Sequence, residues 1–326
     1  MNKRDAMLAL SAFGTWPLAA VAQQSSKVWR IGFLFQSARS SVESRFEAFK
    51  QAFRDLGYLE GRDYVLEMRF ADNRNDTFPA LAAELVRSGP DLILVSPTGP
   101  ALAVQKATST IPTVVISSGD PVVSGLVKSL ARPGGNITGT ANMLTEVAPK
   151  HLDLLLELLP KLSRLALLMN SAYPSHRAVL KRLQAVAIGR RIQILPIDAQ
   201  SLPDIENGFA AVKAQNANGL LVVTDSTYVE RRSEIAELAR KHRLPSMGFG
   251  ILEAEAGYLV GYGPNQHALW RRTAYYVDRI LKGTKPADLP VEQPTVFEMA
   301  LNLKTAKDLG IVIPQTVLLR ADKLFE

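Results

Sequence analysis

The chain has 326 residues, 47% of them apolar and 7% aromatic, with a formal net charge of +7 and no cysteine. That length suits two α/β lobes of ordinary domain size better than one core. The missing thiols exclude disulfides, thiolate metal sites, a cysteine nucleophile and a lipidated cysteine at the start of a processed chain.

Met1 to about Ala22 opens with Asn2-Lys3-Arg4, runs apolar from Ala6 to Ala20 and ends Ala20-Val21-Ala22. This order of charged, apolar and small-x-small segments predicts a cleavable export signal over 1–22. Lys3-Arg4 is a near miss for a twin-arginine signal, so the sequence leaves the export route open. No other apolar run reaches membrane-spanning length. The expected location is the periplasm, with no membrane insertion after signal removal.

The mature chain then alternates strands and helices. Arg30 to Phe35 is apolar and stops at Gln36-Ser37. Ser40 to Gly57 predicts a helix: Ser40 and Glu43 fit a capping box, Val42, Phe46, Phe49, Phe53 and Leu56 share one face, and Gly57 ends it. Tyr64 to Phe70 alternates as a strand, and Phe78 to Ser88 reads as a helix with Pro79 in its first turn. Leu92 to Val95 is a short buried strand that stops at Ser96, Thr98 and Gly99, where Pro100 can occupy the first turn of a helix. A second such strand, Thr113 to Ile116, ends in Ser117-Ser118-Gly119-Asp120-Pro121. Adjacent parallel strands ending in small hydroxyl residues and glycine form a crevice lined by free backbone N–H groups.

The pattern then recurs. Arg164-Leu-Ala-Leu-Leu-Met-Asn-Ser-Ala172 matches Arg30-Ile-Gly-Phe-Leu-Phe-Gln-Ser-Ala38. Leu220-Leu-Val-Val-Thr-Asp-Ser-Thr-Tyr228, a helix and Leu244-Pro-Ser-Met-Gly-Phe-Gly250 repeat the order seen from Leu92 to Pro121. A β-α-β-α-β unit used twice predicts two Rossmann-like lobes with their strand ends facing across a ligand cleft. Lys150 to Leu159 is helical. Gly257 to Pro264 is a strand, Asn265 to Lys282 a helix, Thr295 to Leu301 a last strand, and Lys304 to Leu309 a short helix before a tail. The spare helix and strand fit if the chain returns to the first lobe and leaves it again. The expected division is 28–142 plus 263–293 for the N-terminal lobe and 143–262 plus 294–326 for the C-terminal lobe, with a three-crossover hinge.

Other function classes find little support. There is no Gly-x-Ser-x-Gly. Gly248-Phe-Gly250 is a fragment of a dinucleotide fingerprint, and the glycines of Gly134 to Gly139 lack the lysine of a phosphate loop. His151, His176, His242 and His267 are far apart in sequence and are expected on the surface, so no metal, cofactor or catalytic residue is expected. The doublets Arg190-Arg191, Arg231-Arg232 and Arg271-Arg272 carry no interleaved aromatics and read as solvated helix faces, with no nucleic-acid partner.

Arg30-Ile-Gly-Phe-Leu, Phe53-Arg-Asp-Leu-Gly-Tyr-Leu-Glu-Gly-Arg62, Gly119-Asp-Pro-Val with Gly125-Leu-Val-Lys-Ser-Leu-Ala-Arg-Pro-Gly-Gly-Asn136, and Asp288-Leu-Pro-Val-Glu-Gln-Pro294 with Asn302-Leu-Lys-Thr-Ala-Lys-Asp-Leu-Gly310 carry a resemblance. Over essentially the whole mature chain the sequence resembles the periplasmic solute-binding proteins of ABC importers, in the family that includes the tryptophan-type binding proteins. The resemblance implies the type I periplasmic binding fold, capture of a small-molecule solute, delivery to an ABC permease in the inner membrane, and a monomer. It implies amino acids, aromatic or aliphatic, as the first class of solute. A small carboxylate, an aromatic acid or a nucleobase-like compound also suits such loops, and a sensor presenting its closed form to a membrane receptor is the alternative role.

A free amino acid needs donors for its carboxylate and acceptors for its ammonium. Thr98, Gly99 and Pro100 at a helix start offer a hydroxyl and oriented N–H groups, and Ser117 and Ser118 add hydroxyls. Asp120 and Asp225, each just after a strand, are the expected ammonium partners or else helix caps. Gln36, Ser37, Asn170 and Ser171 occupy equivalent strand ends, where each touches the solute or else caps the next helix, and Tyr173, Tyr228 and Phe249 either wall an apolar or aromatic solute side chain or pack at the lobe surface.

Overall fold

A computed structural model describes residues 27–326; the expected export signal lies outside the described residues. The first sheet is built from β1 (Trp29–Phe35), β2 (Tyr64–Phe70), β3 (Leu92–Ser96), β4 (Thr113–Ser118) and β5 (Ile137–Ala141), connected by α1 (Glu43–Asp55), α2 (Phe78–Arg87) and α3 (Thr98–Ala107). All its pairings are parallel, in the order β2-β1-β3-β4-β5. Its central strands are buried on both faces, which is why they read as unbroken apolar runs.

The second half repeats the plan. It contains α4 (Leu144–Leu158), β6 (Arg164–Met169), α5 (Pro174–Ile188), β7 (Gln193–Asp198), α6 (Leu202–Ala214), β8 (Gly219–Val222), α7 (Ser226–Glu230), α8 (Arg232–Lys241), β9 (Ser246–Gly248), α9 (Ile251–Glu255) and β10 (Val260–Pro264). The run β7-β6-β8-β9-β10 copies the order of the first sheet. After α10 (Gln266–Leu281), which lays Trp270 and Tyr276 into the core beside α1, the chain adds β11 (Phe297–Asn302), α11 (Leu303–Leu309), α12 (Gln315–Leu318) and β12 (Lys323–Phe325). Here β11 pairs antiparallel with β10, and β12 closes that edge in parallel with β11.

The chain passes from the first sheet to the second through Asn142 and Met143, returns after Pro264 and crosses again over 293–296. β10 keeps Gly263 and Pro264 in the second sheet, two residues beyond the expected boundary. Glu292 still bonds to the first sheet, its carbonyl accepting from Ala141 N–H at 2.9 Å. Two apolar clusters cover the faces of each sheet.

Local expectations fail in four places. The Ser40/Glu43 capping box does not form: a short 3-10 turn over Arg39–Ser41 precedes α1, whose N-cap is Val42. Leu56 lies past the end of α1 and is exposed, while Gly57 takes the positive φ of +93° that ends the helix. The tail contains a helix and an edge strand. His151 and His176 are buried rather than on the surface.

Candidate functional site

In each sheet the strand order reverses between the first and third strands of the repeat, β1 and β3 in one, β6 and β8 in the other. Open α/β sheets bind ligands at such switch points. A cavity of about 380 Å³ lies where the carboxyl ends of both pairs meet, within the range of ordinary small-molecule sites.

From the first sheet, Gln36 and Ser37 follow β1. Gln36 N–H donates to the Ser96 carbonyl at 3.1 Å, so β1 and β3 stay zipped to their ends. The chain turns through a cis Ser96–Pro97 bond into α3. Thr98 Oγ1 accepts from Gly119 N–H at 2.9 Å and lies 3.3 Å from Ser118 Oγ, so that hydroxyl braces β3 against β4. Among the described residues nothing accepts from the N–H groups of Thr98 and Gly99. They are the positive end of α3, set at the cavity wall.

From the second sheet, Tyr173 precedes α5 and Asp225 precedes α7. Asp225 Oδ1 accepts from Thr227 N–H at 2.7 Å, a helix cap. Its Oδ2 is buried with no hydrogen-bond partner among the described residues, and Asp225 is one of the cavity's lining residues. Behind it stands His176, Nδ1 accepting from Asn170 N–H at 3.0 Å and Nε2 donating to the Thr224 carbonyl at 3.1 Å. These two bonds fix one neutral tautomer, and burial holds the imidazole below its usual pKa. The imidazole ties the end of β6 to the end of β8 and so sets the position of Asp225. Burial, then the charge of Asp225, pushes the Tyr173 phenol upward.

Phe249 supplies an apolar wall. It is held from behind by His151, with ring centroids 3.9 Å apart, and from below by β10. A Cβ on Gly261 would lie 1.8 Å from the Gly250 carbonyl oxygen, and one on Gly263 would lie 1.9 Å from that of Phe249.

Eight residues expected from sequence line the cavity together: Gln36, Ser37, Thr98, Gly99, Ser117, Tyr173, Asp225 and Phe249. Five do not. Ser118 is buried within the first lobe against Thr98. Asp120 turns away to cap α4, its Oδ2 accepting from Thr145 N–H at 3.3 Å and from the Thr145 hydroxyl. Asn170 and Ser171 are spent on the turn into α5, Asn170 Oδ1 accepting from Ala172 N–H at 3.0 Å and Ser171 N–H donating to Asp198 at 2.8 Å. Tyr228 lies in the core under β8, its hydroxyl donating to the Ala199 carbonyl at 2.5 Å.

Sequence reading missed Arg45, His176 and Glu253, all on the cavity wall. Glu253 was the most accessible of these, because α9 starts directly after the strand end Gly248-Phe-Gly250. Among the described residues no cluster of three or more His, Asp or Glu could hold a metal, and no helix is long and apolar enough to cross a membrane.

The family model described as ABC transporter substrate binding protein matches residues 37–325. A tyrosine-binding protein of Clostridioides difficile is 25% identical over 287 residues, 88% of this chain and 82% of that one. An ABC domain from Streptococcus pneumonia in complex with L-Trp superposes with a TM-score of 0.84 at 23% identity, over 92% of this chain and all of that one. The ligand-free, open structure of a substrate binding protein with adhesive properties from Clostridium difficile gives 0.69 at 23% identity, over 91% and 99% of the two chains.

Proposed function

This chain belongs to the ABC transporter substrate-binding protein family, and from that premise we propose that it captures a free α-amino acid by closure of its two lobes. The observation that carries the reading is Asp225 Oδ2, a buried carboxylate oxygen without a partner among the described residues, on a side chain that lines the cavity. An unpaired buried carboxylate is costly, and an ammonium group of the solute relieves that cost. The N–H groups of Thr98 and Gly99, with the hydroxyl of Ser37, serve the solute's carboxylate from the other lobe. Phe249 and Tyr173 border its side chain. The names of the relatives, one a tyrosine-binding protein and one holding L-Trp, support the same class.

The three crossings are the hinge in this reading, and the described arrangement is the closed one: Tyr173 of the second lobe packs on Gly99 of the first. The better superposition on the ligand-bound relative than on the open one supports this. The solute must favour the closed state to populate it. In the proposed cycle an exported, monomeric, periplasmic protein hands its solute to an ABC permease that reads the closed surface, and no chemistry is done on the solute.

Thermal shift of residues 23–326 against L-amino acids, each beside its decarboxylated amine and its deaminated acid, tests the reading. A solute at a hundredfold excess over Kd stabilises by about 2.7 kcal/mol, several degrees of midpoint. The amino acid should shift the midpoint and both truncated analogues should fail. Equal shifts from the acid alone would remove Asp225 from the site.

A further inference from the structure

Resting on the amino-acid reading above, we infer that the cavity also recognises the tip of the solute's side chain, through Arg45 and Glu253, and that the tip is a hydroxyl or amide. Arg45 comes from α1 of the first lobe and Glu253 from α9 of the second, and both line the cavity. They are near enough for each charge to act on the other, yet no ion pair within 4.0 Å joins them. Each is instead held short of the other. Arg45 Nη2 donates to the Ser41 carbonyl at 2.6 Å, and the guanidinium lies 5.8 Å from the centroid of the Trp270 ring. Glu253 is 8% exposed, and the hydrogen bond its carboxylate takes comes from its own backbone N–H, which leaves acceptor capacity free. Space is reserved for it: a Cβ at Gly248 would lie 2.5 Å from Glu253 Cγ, and one at Gly250 would lie 3.0 Å from Oε2.

A guanidinium with free donors and a buried carboxyl group facing one cavity from opposite lobes leave a gap with a donor on one side and an acceptor on the other. A hydrocarbon tip would leave the remaining donors of Arg45 and the remaining acceptor capacity of Glu253 desolvated and unused. A carboxylate tip would satisfy Arg45 and oppose Glu253, and an ammonium tip would do the reverse. A hydroxyl or amide accepts from Arg45 and donates to Glu253, closing the gap without a net charge. Sites built to hydrogen-bond a substrate group reject the analogue lacking it far more strongly than apolar pockets reject a missing methylene. The charged groups of the cavity fall into two electrically separate sets. Asp225 acts on Tyr173 and His176, whereas Arg232 and Arg45 act on Glu253.

Isothermal titration of residues 23–326 with matched L-amino acids tests this: tyrosine against phenylalanine, glutamine against norleucine, and glutamate alone. The expected result is at least a tenfold preference for the polar-tipped member of one pair. In Arg45→Met that preference should vanish while affinity for the hydrocarbon member holds, and Glu253→Gln should keep the preference. Should the methionine variant fail to fold, Arg45→Gln reads the same contact. Equal or tighter binding of the hydrocarbon members overturns the inference and leaves the amino-acid reading standing. Glutamate as the tightest ligand also overturns it, making Arg45 an anion site. If no amino acid binds, both readings fall.

Discussion

The hydroxyl of Tyr173, on the second lobe, packs on Gly99 of the first so closely that a methyl group there would lie 3.2 Å from Tyr173 Oη and 3.0 Å from Phe78 Cε2. Both distances are tighter than ordinary van der Waals contact, and only one of the two crowded atoms belongs to the opposite lobe. Gly99→Ala therefore strains the closed form more than the open one. Overpacking of this size costs about 1–2 kcal/mol, or about tenfold in solute affinity. Calorimetry should show weaker binding, with a loss of affinity beyond the drop in melting midpoint that the Phe78 contact within the first lobe causes in the solute-free protein. Unchanged affinity would mean that the lobes do not meet at this contact when solute is bound.

Asp225 has two oxygens with separate duties, and Asp225→Asn separates them. The amide oxygen can still accept from Thr227 N–H, so the α7 cap survives and stability should change by less than about 0.5 kcal/mol. The charge facing the solute's ammonium is lost. Leaving a buried charge unpaired costs about 3–5 kcal/mol, so affinity should fall by well over tenfold. Asp225→Ala should lose the same affinity and a further ~1 kcal/mol of stability from the missing cap. Retained affinity in both variants would rule out the ammonium contact.

Gly263→Ala tests the seating of Phe249. The added carbon would lie 1.9 Å from a backbone carbonyl oxygen, an obstacle that no side-chain rotation relieves. The loop carrying Phe249 must move or the strand must bend. A loss of about 2–3 kcal/mol in urea unfolding is expected, at the upper end for overpacked sites. A stability equal to wild type would show that the loop relaxes freely.

Asp120 gives the protein a pH signature. Burial, followed by the neighbouring Glu146, lifts its carboxyl from 3.8 to about 7, against the pull of the Thr145 donors. The folded chain therefore holds the proton more tightly than the unfolded chain. This group contributes stability that is fully present below pH 3.8 and is lost as pH rises through about 7. Asp120→Asn should flatten that slope, raising stability relative to wild type more at pH 8 than at pH 5. Parallel unfolding profiles of the two proteins across this range would remove Asp120 as the source.

The architecture was readable because parallel strands buried on both faces leave continuous apolar runs, and because the run from Arg30 to Pro121 is echoed from Arg164 to Gly250. The positions of the strand ends followed from the same runs. What each end residue does with its polar atoms was not readable. Asp120 and Asp225 look alike in sequence, each directly after a strand, yet Asp120 commits Oδ2 to the start of α4 while Asp225 leaves Oδ2 without a partner among the described residues. Tyr228 lies three residues from Asp225 on a single-turn helix that rotates it under the sheet. Arg45 stands on the face of α1 that, in sequence, reads as solvent-exposed. The wall that covers it arrives with Glu253, about two hundred residues later.

The glycines of β10 bear on how solute preference can change within this fold. Because the backbone of β10 rests directly on the backbone at Phe249 and Gly250, that side of the cavity behaves as a cast surface whose contour is set by main chain. The facing side combines the main-chain N–H groups of Thr98 and Gly99 with side chains of α1, Arg45 among them, whose exchange leaves the sheet backbone in place. Descendants of this sequence that acquire a new solute would then alter α1 first and keep the Phe249 shelf as inherited.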